Sequence, residues 1–277
     1  MERYFIKIRD KKVRVTEWGE KSHPVIFCLH GLGSTSLSFI EIAEALQHEY
    51  RIISIDAPGH GRTESFDSEE DYEMKAMVRW LKEVHQKLEL EELYFLSHSW
   101  GSFVALFYVD AFPNPVVGSI LLDGGYQTKR LGNQTVEEEV AFYEKDFEES
   151  VESWDTFLDV AVFAPGARRS DSLKLAGEDL ALKKDGKFYW HARGLTAAAI
   201  VRAMHKDETA DLYHRLPSDL LLLRATQPVH MEVQRKKTSS IFEKETGAEV
   251  VEVAGTSHMM HWDRPQRIVQ YIRNQWS

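Results

Sequence analysis

A serine between small residues stands where an apolar run gives way to a helical pattern. Ser99 occurs in Ser97-His98-Ser99-Trp100-Gly101, after the apolar residues 93–96 and before the apolar residues 104–107. Small residues beside such a serine let a strand and the following helix approach closely, and the sharp turn between them lifts the hydroxyl above the sheet. This nucleophile-elbow pattern predicts Ser99 as a nucleophile, with Ser97 at a position where glycine is usual.

A histidine near the end of the chain is the predicted general base. A serine hydroxyl is a weak nucleophile and needs a base to accept its proton. His258 follows the last predicted strand, and loops at the carboxyl ends of parallel strands share one crevice, so we expect His258 near Ser99. His261, one helical turn later, is the alternative base. No cluster of carboxylates or cysteines completes a metal site around this pair, and we predict no metal.

A glycine-rich turn at residues 30–33, after the apolar run 25–29, suits the binding of a negatively charged oxygen. Glycines there let backbone N–H groups point into the crevice. We predict that the N–H groups of Leu32 and of Trp100, at the start of the elbow helix, form an oxyanion hole. The turn lacks the glycine spacing of phosphate-binding and dinucleotide-binding loops, and we predict no cofactor.

The order of apolar patterns predicts the architecture that positions these groups. Strand patterns alternate with helical ones, which indicates a doubly wound, mostly parallel sheet of eight strands, an α/β fold. The predicted strands are 3–9, 12–18, 25–29, 51–55, 93–96, 116–122, 220–223 and 250–253, and the main helices are 37–46, 71–88, 232–245 and 265 to the end. Residues 126–206 have mostly helical patterns and interrupt the alternation. We therefore predict a core of residues 1–125 and 207–277, with 126–206 inserted as a helical lid.

Composition limits the partners. Lys and Arg number 34 and Asp and Glu number 44, a net charge of −10, which argues against nucleic acid or an anionic membrane as a partner. Cys28 is the single cysteine and lies in an apolar run, so we expect a buried thiol. The first nine residues alternate polar and apolar and do not resemble a signal peptide, and no run approaches a membrane span. We expect a soluble, cytoplasmic protein; its oligomeric state is left open.

Four motifs occur in the order and spacing of the α/β-hydrolase superfamily, and the chain resembles its lid-bearing, single-domain branch. They are His30-Gly31-Leu32-Gly33, Asp56-Ala57-Pro58-Gly59-His60-Gly61, Ser97-His98-Ser99-Trp100-Gly101 and Gly255-Thr256-Ser257-His258. The resemblance implies that the loop beginning at Asp56 is structural. A serine at position 99 argues against haloalkane dehalogenases and epoxide hydrolases, which use an aspartate there.

The position of the acid that orients the base differs from the family's common pattern. That acid usually follows the seventh strand, where residues 223–232 contain no aspartate. Asp123 directly follows the sixth predicted strand, as the acid does in some superfamily members, and we predict it as the acid. Glu232 is the alternative. Asp219 lies before its strand, at the wrong end of the sheet, and Asp263 suits a helix cap before Pro265.

We therefore expect a serine hydrolase that cleaves a small, largely apolar carboxylic ester or thioester. The same residues would also serve a carbon–carbon bond hydrolase, and a non-catalytic receptor for a small molecule could keep them too.

The predicted lid is rich in aromatic residues, which either line an acyl pocket or form the lid's own core. They are Tyr126, Phe142, Tyr143, Phe147, Trp154, Phe157, Phe163, Tyr189 and Trp190. The acidic run Glu137-Glu138-Glu139 is expected to be a solvated helix face.

Overall fold

A computed structural model of the protein describes residues 1–132, 134–163 and 167–276. The strands in these residues are β1 (Glu2–Ile8), β2 (Lys11–Trp18), β3 (Val25–Leu29), β4 (Arg51–Ile55), β5 (Leu93–His98), β6 (Val116–Leu122), β7 (Ser150–Val151), β8 (Ala181–Lys184), β9 (Lys187–Trp190), β10 (Leu220–Ala225) and β11 (Glu249–Val253). Within the described chain, eight of them form one sheet in the order β1-β2-β4-β3-β5-β6-β10-β11. β2 runs antiparallel to β1 and β4, and the other neighbours are parallel. The predicted doubly wound, mostly parallel α/β sheet is confirmed.

The helices connect these strands. They are α1 (Ile40–Leu46), α2 (Met74–Lys87), α3 (Trp100–Ala111), α4 (Val136–Asp146), α5 (Trp154–Ala161), α6 (Asp171–Leu180), α7 (Gly194–Lys206), α8 (Glu232–Thr246), α9 (Met260–Asp263) and α10 (Pro265–Trp276). The first helix begins later than predicted, because residues 36–39 form a 3-10 turn. In the described ranges, no helix has the length and apolar character needed to cross a bilayer.

The central sheet is covered on both faces, which explains the continuous apolar runs of its parallel strands. Side chains alternate along β3: Phe27 lies in the core under α2 and α3, whereas Ile26 and Cys28 lie in the core under α1 and α10. The Cys28 thiol is buried, as expected, and burial raises its pKa. Packing on both faces fixes the register of the strands, and with it the positions of the loops at their carboxyl ends.

Residues 126–206, between β6 and β10, contain α4 to α7. They also contain a three-stranded antiparallel sheet within their described part, in the order β7-β9-β8, which the prediction of a helical segment missed. These strands have two to four residues each, too few for a period-two pattern to be recognised in the sequence. Aromatic residues from α5 and β9 form a separate core there, which also contacts Trp262.

Candidate active site

The turn between β5 and α3 has the geometry expected of a nucleophile elbow. Ser99 has φ 52° and ψ −122°, a strained conformation for a residue with a side chain, and such strain is concentrated at functional sites. A Cβ at Gly101 would lie 2.3 Å from the carbonyl oxygen of Leu29, so only glycine fits where α3 passes β3. Ser97 is tolerated in place of the usual glycine because its hydroxyl donates to Ser102 Oγ at 3.1 Å.

The three residues predicted to act together are brought together. His258 Nδ1 lies 2.8 Å from Asp123 Oδ2, and His258 Nε2 lies 2.9 Å from Ser99 Oγ. An ionised carboxylate only accepts hydrogen bonds, so Nδ1 carries the proton of the neutral ring and donates it to Asp123. Nε2 is then free to accept the hydrogen bond from the Ser99 hydroxyl. This is the proton-transfer geometry that a serine nucleophile requires.

Asp123 occupies a site built for a carboxylate. Its side chain is fully buried; Oδ1 accepts hydrogen bonds from the hydroxyl of Tyr126 at 2.7 Å and the N–H of Ala225 at 3.0 Å. Arg235, also buried, approaches Oδ2 at 3.4 Å. Burial alone would raise the pKa of Asp123, but the hydrogen bond from His258 and the charge of Arg235 hold it below its usual value. Asp123 is therefore ionised and oriented toward His258.

The alternative acid, Glu232, is engaged elsewhere. Its carboxylate accepts two hydrogen bonds from the buried Arg224, at 2.9 and 3.1 Å. Asp219 precedes β10, at the edge of the sheet opposite Asp123. The carboxylate of Asp263 accepts the N–H of Ser257 at 2.6 Å and holds the loop that carries His258.

The alternative base, His261, is buried, and its Nε2 contacts Ser38 Oγ at 2.8 Å. Burial lowers its pKa to about 3, so the ring stays neutral. Sequence reasoning missed the neighbouring His98, whose Nε2–H donates to the carbonyl oxygen of His258 at 2.9 Å. His98 thus connects the backbone of His258 to the residue that precedes Ser99. Its position next to Ser99 in the sequence could have marked it as part of the site.

The predicted oxyanion donors, Leu32 and Trp100, line the same cavity as Ser99 and His258. Among the described residues, no acceptor takes the N–H of Leu32. Trp100 begins α3, where the first N–H groups have no partner within the helix. His30 fixes the turn before Leu32: its Nδ1–H donates to Gly31 O at 2.8 Å and its Nε2 accepts the N–H of Ala57 at 2.9 Å.

The cavity at Ser99 has a volume of about 140 Å³, and a second cavity of about 290 Å³ shares some of its lining residues, among them Lys129 and Glu139. The wall of the cavity at Ser99 is mixed rather than apolar. Its apolar lining residues include Leu32, Phe103, Val201 and Met204, and its polar ones include Gln127, Lys129, Glu139 and Tyr143.

The expectation that Glu137-Glu138-Glu139 is a solvated face is wrong for Glu139. Its side chain is only 9% exposed and accepts hydrogen bonds from the ammonium of Lys129 and from His205 Nε2. The neighbouring Glu138 forms part of the capping box of α4 instead. Glu139 was not recognised because a run of acidic residues conceals which one faces inward.

The aromatic residues of residues 126–206 differ in their surroundings. Tyr143 lines the cavity at Ser99, and Tyr126 lies behind it, bound to Asp123. Four others, Trp154, Phe157, Phe163 and Trp190, pack in the core of the segment. Phe147 packs with Ala192 and Ala197, behind Leu32 and Tyr143 of the cavity lining. Phe142 is exposed. In the part of the chain that the structure describes, no group of three or more His, Cys, Asp or Glu is arranged to hold a metal ion.

Comparisons with known proteins identify the family of the chain. Residues 24–265 match the family described as alpha/beta hydrolase fold. Epoxide hydrolase 4 of Mus musculus is 22% identical over 121 residues, 43% of this chain and 34% of the relative. A serine hydrolase-like protein of Homo sapiens is 28% identical over 106 residues, 38% of this chain and 52% of the relative. These matches span only about a third to a half of each relative.

Solved structures extend the likeness over the whole chain. The thioesterase domain from the curacin biosynthetic pathway superposes with a TM-score of 0.79 at 17% identity, covering 99% of both chains. At that identity the likeness concerns the fold alone. The family match covers most of the chain, however, and includes Ser99, Asp123 and His258. The chain belongs to the α/β-hydrolase fold family.

Proposed function

We propose that this protein is a serine hydrolase that cleaves a small carboxylic ester or thioester through an acyl-enzyme. Membership of the α/β-hydrolase family supports a hydrolytic function. The observation that carries the proposal is the continuous chain of hydrogen bonds from Ser99 Oγ to His258 at 2.9 Å and from His258 to Asp123 at 2.8 Å.

In the first half-reaction, Ser99 Oγ attacks the acyl carbonyl carbon while His258 Nε2 takes the hydroxyl proton. Asp123 stabilises the resulting imidazolium. The N–H groups of Leu32 and Trp100 donate to the oxyanion of the tetrahedral intermediate. When the intermediate collapses, the bond to the leaving group breaks, and the alcohol or thiol departs with the proton from His258.

In the second half-reaction, water takes the place of the leaving group. His258 accepts a proton from the water as its oxygen attacks the acyl carbon, and the same N–H groups hold the second oxyanion. Collapse breaks the bond to Ser99 Oγ, which recovers its proton from His258. The products are a carboxylic acid and the alcohol or thiol.

We further propose that residues 126–206 act as a lid over a core of residues 1–125 and 207–277. The support is that this segment supplies one wall of the cavity, through Lys129, Glu139, Tyr143, Val201 and Met204. The apolar side chains among them suit the hydrocarbon part of an acyl group.

The proposal is tested by hydrolysis of p-nitrophenyl esters of graded chain length, together with a fluorophosphonate label located by mass spectrometry. We expect turnover and a label on Ser99. Product analysis distinguishes an esterase from a carbon–carbon bond hydrolase. Tight binding of a small molecule with neither turnover nor labelling would instead indicate a receptor and would refute the proposal.

A further inference from the structure

Two polar residues in the lining of the cavity, Lys129 and Tyr143, have unused hydrogen-bond donors. The ammonium of Lys129 carries three N–H donors, and within the described residues its one acceptor is Glu139. Both oxygens of Glu139 are already used, one by Lys129 and the other by His205 Nε2 at 2.6 Å. The ammonium therefore has donors to spare, whereas the carboxylate beside it has each oxygen already paired.

Tyr143 adds a further unused group. It lies one turn after Glu139 on α4, so both side chains are on the same face of the helix and line the same cavity. In the described part of the chain its hydroxyl has no hydrogen-bond partner. Burial, together with the charges of Glu139 and Asp146, raises its pKa, so the phenol keeps its proton and can donate.

Lys129 is held in place rather than free to turn toward solvent. The buried carboxylate of Glu208 accepts the backbone N–H of Lys129 at 3.2 Å and that of Arg130 at 2.6 Å. The Lys129 side chain is 17% exposed. A fixed, largely desolvated ammonium binds an ionised acceptor more strongly than a neutral one, because charge-assisted hydrogen bonds are about twice as strong.

We propose that the substrate carries a carboxylate, which binds to Lys129 and Tyr143 while its scissile carbonyl lies at Ser99. The carboxylate supplies acceptors for the unused donors of Lys129 and Tyr143. The apolar residues Phe103, Val201 and Met204 then contact the hydrocarbon between the two groups. This inference rests on the proposed serine hydrolase function and narrows its substrate to half esters or half thioesters of dicarboxylic acids and similar anions.

The test compares three probes: the mono-p-nitrophenyl half ester of glutaric or adipic acid, its methyl ester and its carboxamide. The spontaneous rate is subtracted for each. We expect kcat/KM for the carboxylate probe to exceed both neutral probes by about tenfold or more, the effect of one charged hydrogen bond. Lys129→Met should bring this ratio toward one, and Lys129→Arg should retain part of it.

Lys145→Met is the matched control, because Lys145 is an exposed lysine near the end of α4 and does not line the cavity; it should keep the wild-type ratio. If Lys129→Met does not fold, the double variant Lys129→Met/Glu139→Gln removes both charges and is measured in its place.

The outcomes separate the two proposals. Equal kcat/KM for all three probes in the wild type, with Ser99 still labelled by fluorophosphonate, overturns the carboxylate inference and leaves the serine hydrolase intact. Absence of both labelling and turnover overturns the serine hydrolase and, with it, the carboxylate inference.

Discussion

The two walls of the cavity are built by different means. One wall, here called the core wall, contains Ser99, Asp123 and His258. They lie in loops at the carboxyl ends of β5, β6 and β11, so the sheet topology brings them together. The other wall contains Lys129 and Glu139 from residues 126–206, whose positions are set by a helix face and an ion pair. The core wall suits chemistry common to a family, whereas the other wall suits selection among substrates.

The most severe test of the core wall is Ser99→Ala. We expect turnover to fall by about four to six orders of magnitude, because the nucleophile is removed and the other groups cannot replace it. Thermal unfolding of the variant should stay close to that of the wild type, which checks that the loss is chemical. Fluorophosphonate labelling at Ser97 or Ser102 in an active Ser99→Ala protein would contradict the assignment.

The next largest effect concerns the acid. Asp123→Asn should reduce kcat by about 10⁴, because His258 loses the partner that fixes its tautomer and orientation. Glu232→Gln is the matched control and should remain near the wild-type rate. The buried Arg224 keeps an ion pair with Glu252 in that control, so its folding should persist. If Glu232→Gln lost most of its activity while Asp123→Asn stayed active, the acid would be Glu232, after β10, and not Asp123.

A third test separates backbone from side chain at the oxyanion hole. Leu32→Pro deletes the N–H donor and should raise the barrier by about 3–4 kcal/mol. Leu32→Ala keeps that donor and should change kcat/KM only modestly. Circular dichroism and thermal unfolding show whether the proline variant is folded. Equal losses for the two variants would rule against a backbone role.

The core wall could be predicted from the sequence because each of its residues follows a recognisable apolar strand. Strand ends are read from apolar runs, and parallel topology then places those ends at one edge. Even Asp123, outside the family's common pattern, could be found in this way. Tertiary contacts without a local pattern were missed, including Arg235 beside Asp123 and Asp263 behind His258.

The other wall could not be predicted, for physical reasons. A lysine in a loop has no periodicity, so nothing in the sequence indicated that Lys129 points into a cavity. Glu139 lies one turn before Tyr143 on α4, but it stands in a run of three acidic residues, which conceals the one that faces inward. The short strands of residues 126–206 depend on pairing with each other, which is not a property of any one segment.

Buried histidines make the folding stability of the protein depend on pH. Burial lowers the pKa of His60, His85 and His261 to about 3 and that of His98 well below its usual value. Above pH 6.5 these rings are neutral in both the folded and the unfolded protein. Below it the unfolded chain binds protons that the folded protein excludes, so stability falls as the pH drops from about 6.5 toward the folded pKa values.

His85 allows this to be measured away from the active site, because it lies on α2 and contacts Tyr108. Urea unfolding of the wild type at pH 6 and pH 5 gives the loss of stability over that unit. In His85→Gln that loss should be smaller by about 1 kcal/mol, the share of one histidine. An unchanged loss would mean that His85 takes up its proton in the folded protein.

The smallest effects are expected in the wall formed by residues 126–206, where Tyr143 and Phe157 are assigned opposite roles. Tyr143→Phe removes a hydroxyl that has no partner in the described residues, so the free energy of unfolding should change by less than about 0.5 kcal/mol. Its kcat/KM for a carboxylate ester should nevertheless fall about threefold to tenfold. Phe157→Leu, in the separate core of that segment, should lower stability by about 1 kcal/mol and leave the order of preferred esters unchanged. The rates of both variants on a series of esters, together with their urea unfolding, distinguish an effect on substrate preference from an effect on stability. If Tyr143→Phe changed stability alone while Phe157→Leu changed the ester profile, the division of this segment into a substrate-binding wall and a structural core would be wrong.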